Sequence, residues 1–143
     1  NQTSSFIFLG DTNLSPGNGR MLNVHSIPYS GSSWYYDKGF DGTSYDRIAG
    51  STVLSDYNNW TYWSFTANSS TGSMKMYRNG ILFSSGTGKT KPMGNANGDS
   101  RYIGRSISAY YDGYISKILM YKKELLASEL LQQFNNDKAA YGL

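Results

Sequence analysis

The chain has 143 residues, a formal net charge of +3 and no cysteine. That length supports one domain with its own core rather than two, and the lack of cysteine removes a disulfide framework, a thiolate nucleophile and a cysteine-based zinc site. No run of about 18 apolar residues is present to cross a membrane, and the basic residues are scattered along the chain rather than gathered into the patch a nucleic-acid binder needs.

Sixteen glycines, 13 tyrosines and only three prolines suit short strands joined by many turns. In chain order, residues 5–9 read as a strand. Residues 20–25 read as another, with Leu22 and Val24 on one face. Short strands at 34–37 and 45–48 flank a glycine-rich loop at 38–44. Residues 60–67 alternate most clearly, and the alternation predicts Trp63 and Phe65 on the core side.

Strands at 73–78 and 81–85 are joined by Asn79-Gly80, the pair a type I′ hairpin turn demands. A loop rich in glycine, lysine and asparagine follows at 84–100, with Pro92 inside it. The last strands are expected at 101–104 and 114–121. Residues 127–137 are the one helical candidate, with Ala127, Leu130, Leu131 and Phe134 on an apolar stripe. No internal repeat or interdomain linker is visible. The fold class predicted is all-β: a single antiparallel β-sandwich over 1–143 with one short C-terminal helix.

Two blocks carry a resemblance. One is Asp112-Gly113-Tyr114-Ile115, the alternation to Tyr121, then Lys122-Lys123-Glu124-Leu125 and Ser128-Glu129-Leu130. The other is Met74 to Leu82 around Tyr77-Arg78-Asn79-Gly80. Together they resemble the concanavalin A-like, laminin G-like jelly-roll family. The resemblance implies a glycan-binding or adhesive module that is catalytic only where specific acidic residues are added.

Val24-His25, Pro28-Tyr29, Trp34-Tyr35-Tyr36-Asp37-Lys38-Gly39, Tyr45-Asp46-Arg47-Ile48 and the ending at Tyr141-Gly142-Leu143 look like versions of this domain in phage and viral structural proteins. That narrower resemblance implies a virion-surface fibre, tail or decoration component. Its partners would be other structural-protein subunits in a homo-oligomer or larger assembly, and surface glycans. A cell-surface or secreted bacterial lectin-like module is the alternative.

The chain departs from the family in two ways. Family members usually carry a strand ahead of Phe6 that lies beside the strand expected at 114–121, and here that piece is missing. The chain begins at Asn1, without a leader, and reads as an excised or processed piece lacking its N-terminal strand. The gap would then be filled by upstream residues or by a neighbouring subunit. Leu126 also stands where the family often has a serine or threonine helix cap.

The chemistry-bearing residues are few. Glycoside hydrolysis needs two carboxyls flanking the scissile bond, and the only two glutamates, Glu124 and Glu129, fall in the closing helical region. Asp41 with Asp46 is the closest pair of loop aspartates and reads as turn support beside Arg47. His25 is the sole histidine, lies in a predicted strand and has no Gly-x-Ser-x-Gly elbow to serve. Gly88-Lys89-Thr90 fails as a phosphate loop, because Phe83 stands where the first glycine is needed and Pro92 blocks the helix. The expectation is therefore no enzyme.

No cofactor is expected. Calcium is the one ion left open, with Asp37, Asp41, Asp99, Asp112, Asn95 and Asn97 as oxygen donors. Sugar contact calls for aromatic faces beside polar groups. Two clusters offer them: Trp34, Tyr36, Asp37, Tyr45, Asp46 and Arg47, with Tyr35 among them, and Tyr110, Tyr111 and Asp112. Strand alternation must bury one face of the first cluster, and of the adjacent Tyr110 and Tyr111 at most one points inward.

Overall fold

The computed structural model describes residues 5–10, 20–29, 33–51, 54–93, 100–106 and 109–143. Strands β1 (Ser5–Gly10), β2 (Arg20–Tyr29), β3 (Ser33–Lys38), β4 (Asp46–Ser51) and β8 (Ser100–Ile103) form a five-stranded sheet in the order β4-β3-β2-β1-β8. Strands β5 (Trp63–Asn68), β6 (Ser73–Arg78) and β7 (Ile81–Gly86) form a three-stranded sheet in sequence order. All the strand pairs are antiparallel, and the result is the expected jelly-roll sandwich with one C-terminal helix, α1 (Ala127–Asp137).

Alternation builds the core. Val24, Trp34, Tyr36 and Ile48 point inward from the large sheet and meet Met74 and Met76 of the small one. Trp63 and Phe65 face this core as the sequence predicts, with Trp63 4.5 Å from Trp34 and Phe65 5.3 Å from Tyr36 between ring centroids. Both remain only half-buried. The layers close along β4 and β7: Phe83 fills the space over Gly50, where any Cβ would collide with its ring, and Ser84 Oγ donates to the Ala49 carbonyl at 2.6 Å.

The β6–β7 hairpin turns on Asn79 and Gly80, both at positive φ (51° and 77°) as a type I′ turn requires. The Asn79 amide N–H donates to the Tyr62 carbonyl at 2.8 Å, and its side-chain oxygen accepts from the Tyr62 N–H at 2.9 Å, which straps the turn to the approach of β5. Helix α1 lies against the outer face of the small sheet, where Leu130 packs with Tyr77 and Leu125. Glu129 accepts from the Leu126 N–H at 2.7 Å, so a carboxylate supplies one half of the cap that Leu126 cannot offer.

Two expectations are corrected. The alternation at 60–67 becomes a strand only from Trp63, because Thr61 and Tyr62 are committed elsewhere: Thr61 donates to Asp56 at 3.1 Å and Tyr62 holds Asn79. Residues 114–121 form no strand. They run without a β-ladder and are largely exposed. The alternating pattern is present, but a strand exists only with a neighbour to pair with, and none lies beside this segment among the described residues.

Candidate functional site

Direct cross-strand pairing places Tyr102, Phe8, Asn23, Asp37 and Arg47 in one row, one residue per strand, on the outer face of the large sheet. Four interstrand steps of about 4.8 Å make the row roughly 19 Å long. Its middle is buried, with Phe8, Asn23 and Asp37 nearly inaccessible. Each end carries an arginine set among tyrosine rings.

At the β4 end the Arg47 side chain is 29% exposed. Its Nε and one terminal nitrogen donate to the two oxygens of Asp37 at 2.6 and 2.8 Å. The guanidinium carbon lies 4.5 Å from the Tyr35 ring and 5.0 Å from the Tyr45 ring. His25 Nε2 sits 3.1 Å from Asp37 Oδ2 and 2.9 Å from the Asn23 amide nitrogen. Burial pushes the Asp37 carboxyl upward, but the hydrogen bonds from Arg47 and His25 outweigh it and hold Asp37 below the usual carboxylate range. His25 is thus the buried, bonded strand histidine that its position suggested.

The remaining residues of this cluster have structural duties. Trp34 is 2% and Tyr36 3% exposed, so both are core rings out of reach of a ligand. Strand alternation holds here, and the phase that buries Trp34 and Tyr36 leaves Tyr35 on the outer face in their place. Asp46 accepts from the Lys91 N–H at 2.8 Å and lies 3.6 Å from the buried Lys38 amine. Lys38 in turn donates to Ser69 Oγ and to the carbonyls of Lys89 and Lys91, each at 2.9 Å. Burial draws the Lys38 amine downward, against the pull of Asp46.

At the β8 end a small hairpin pairs Arg105 with Tyr110. It is anchored by the Tyr111 N–H to the Gly104 carbonyl and by the Gly104 N–H to the Phe6 carbonyl, both at 2.8 Å. The Arg105 guanidinium lies between two rings, 4.6 Å from Tyr102 and 5.2 Å from Tyr110. Tyr110 is 71% exposed. Tyr111 turns inward, its ring edge-on to Phe6 at 4.8 Å, and burial followed by the nearby Asp112 raises its hydroxyl above the usual phenol range. Asp112 is exposed. The two clusters therefore stand at opposite ends of the row and do not form one site.

Tyr102 and Arg105 complete the second cluster and were not anticipated. Their approach to Tyr110 depends on the Arg105–Tyr110 pairing, which has no strong local signature in the sequence. Among the described residues, no group of three or more histidine or acidic side chains is arranged to hold a metal ion. Asp41 caps its own turn through the Thr43 and Ser44 N–H groups at 3.0 and 2.9 Å, and those bonds hold its carboxyl low. Asp99, Asn95 and Asn97 lie outside the described residues.

Comparison with known proteins places this geometry in context. No curated protein matches the chain. The solved structure of an S-layer domain-containing protein from Clostridium thermocellum ATCC 27405 superposes with a TM-score of 0.50 at 17% identity, covering 94% of this chain and 64% of that one. The present chain thus spans under two thirds of that solved protein, and at this identity the likeness concerns the fold alone. The family model Laminin_G_3, described as the concanavalin A-like lectin/glucanases superfamily, matches residues 1–131. With nearly the whole sandwich matched, the chain belongs to the laminin G-like part of the concanavalin A-like lectin/glucanase superfamily.

Proposed function

We propose that this domain is a non-catalytic recognition module of a virion-surface assembly, surrounded by other structural subunits, that holds glycans at the Tyr110–Arg105 edge. The observation that carries the reading is the 71% exposed Tyr110 ring held beside a guanidinium that a second ring, Tyr102, keeps in place. An exposed aromatic face stacks on the C–H surface of a pyranose. A fixed guanidinium donates in a plane to the hydroxyls or carboxylate of the same sugar, and Asp112 accepts from a neighbouring hydroxyl.

The non-catalytic part draws support from the carboxylates. Asp37, Asp41, Asp46, Asp56, Asp137, Glu124 and Glu129 each lie within ion-pair distance of a basic side chain. Where their proton affinity shifts, at Asp37, Asp41 and Glu129, it falls. Glycoside hydrolysis instead needs one carboxyl held protonated beside one that is free. Surface placement draws support from the lectin-type family and from the likeness to an S-layer domain-containing protein, which equally suits a cell surface.

The test is a glycan array probed with the wild-type domain and with Tyr110→Ala, alongside a reducing-sugar assay on mixed polysaccharides. Saturable binding lost in Tyr110→Ala, with no sugar released, is the expected result. Binding that survives the substitution moves the site elsewhere, and turnover by pure protein ends the non-catalytic reading.

A further inference from the structure

The two ends of the outer-face row carry the same assembly with one difference. At the β4 end the Arg47 guanidinium lies over the faces of Tyr35 and Tyr45. At the β8 end the Arg105 guanidinium lies over those of Tyr102 and Tyr110. The four separations fall between 4.5 and 5.2 Å. Arg47 also has a carboxylate: Asp37, on the adjacent strand, takes two of its N–H groups. Arg105 has none. Among the described residues it makes no ion pair and no hydrogen bond, and its Nε is shut away from water without an acceptor.

The rings do not make up the difference. A tyrosine face answers the charge of a guanidinium, but the N–H groups lie in the plane of the cation and need oxygen acceptors. A buried N–H without one carries a desolvation cost that nothing here offsets. The carboxylates held in the ion pairs described above are engaged with other basic side chains. Asp112, close to Tyr110 in the chain, makes no ion pair with Arg105 among the described residues. With Nε closed off, the terminal nitrogens are the donors that Arg105 keeps accessible. Two parallel N–H groups match the two oxygens of one carboxylate, and the pairing is about twice as strong as one with neutral hydroxyls.

We infer that the glycan held at this edge is acidic: a pyranose bearing a carboxylate, with its ring stacked on Tyr110 and its carboxylate taking on Arg105 the part that Asp37 plays on Arg47. The inference rests on the glycan reading above and adds the class of sugar to it. The β4 end is no rival for the same ligand, because Arg47 already spends its Nε and one terminal nitrogen on Asp37. A neutral hexose would stack on Tyr110 equally well and leave the Arg105 charge unmatched. The acid group, rather than the stacking, therefore sets which sugars are selected.

The test is an array in which each carboxylated glycan stands beside the same glycan with its carboxyl reduced to an alcohol, and beside a sulfate ester of that alcohol. The probes are the wild-type domain, Arg105→Gln and Tyr110→Ala. The wild type is expected to prefer the carboxylated member by roughly ten- to a hundredfold, the span for a hydrogen-bonded charge. Arg105→Gln should bind acid and alcohol alike, and Tyr110→Ala should bind neither. Equal binding of acid and alcohol by the wild type overturns the inference and leaves the glycan reading standing, and that comparison needs no variant to fold. A full acid preference kept by Arg105→Gln also overturns it. Equal or tighter binding of the sulfate ester overturns the choice of a carboxylate. Binding to no member of any set ends the glycan reading and this inference with it.

Discussion

The guanidinium of Arg47 engages both oxygens of Asp37 from the neighbouring strand, at 2.6 and 2.8 Å, on a sheet face where the carboxylate itself has no exposure to solvent. Removing one partner strands the other. Arg47→Ala is expected to cost about 3–5 kcal/mol, the range for breaking a buried pair from one side. Because the Asp37 pKa is depressed in the folded state, its contribution is complete above the unfolded value of about 3.9 and is lost as pH falls through the folded value. Urea unfolding from pH 7 down to about pH 2 should therefore show a shallower acid loss in Arg47→Ala than in wild type.

Gly80→Ala combines two penalties. The backbone stands at φ 77°, and the added methyl would come within 2.8 Å of Leu131 Cδ1 on α1. A destabilisation of more than about 1 kcal/mol is expected. Thermal unfolding measures it, and loss of helical signal ahead of sheet signal would locate the damage at the α1 contact.

Neighbouring tyrosines should behave oppositely. Tyr110→Ala removes an exposed ring and should change stability by no more than about 0.5 kcal/mol. Tyr111→Ala removes the ring packed on Phe6 and should cost clearly more. Denaturant titration of the two variants distinguishes them, and equal losses would contradict the inward and outward assignment of the pair.

Met76 and Phe65 pair directly across β5 and β6, yet Met76 is fully buried and Phe65 only half-buried. Met76→Ala should fall in the range of about 2–5 kcal/mol for buried aliphatic truncations. Phe65→Ala should cost no more than about 3 kcal/mol, the lower bound for a closed core. A larger cost for Phe65 would mean that the β5 edge is better covered than its exposure indicates.

Sequence reading succeeded where the signal is local. Asn79-Gly80 sets a turn by its own backbone preference, and the strands on either side of it were placed to within a residue. Ala127–Asp137 was found from the spacing of Leu130 and Phe134, with Glu129 supplying the cap bond that Leu126 lacks. It fell short where the outcome depends on a partner distant in the chain. The alternation from Tyr114 to Tyr121 is as regular as that from Trp63 to Asn68, but only the latter has a neighbour. Trp34, Tyr35, Tyr36 and Asp37 alternate cleanly, yet alternation alone does not say which phase meets the other sheet. Arg105 carries no local mark of its two tyrosine neighbours, because Tyr102 and Tyr110 are brought to it by a hairpin and a sheet edge.

The contact of Phe83 with Gly50, together with the Ser84 bond to Ala49, makes the β4–β7 side a line about which the layers can rotate. Displacement in such a rotation grows with distance from the axis, so β5, the strand farthest from β7, moves most. The protein would breathe as a hinged pair of leaves, opening and narrowing on the side away from the seam. Any change at Gly50 that spreads the seam would be magnified at Trp63, so backbone order parameters along β5 should respond more strongly than those of β7 beside the substitution.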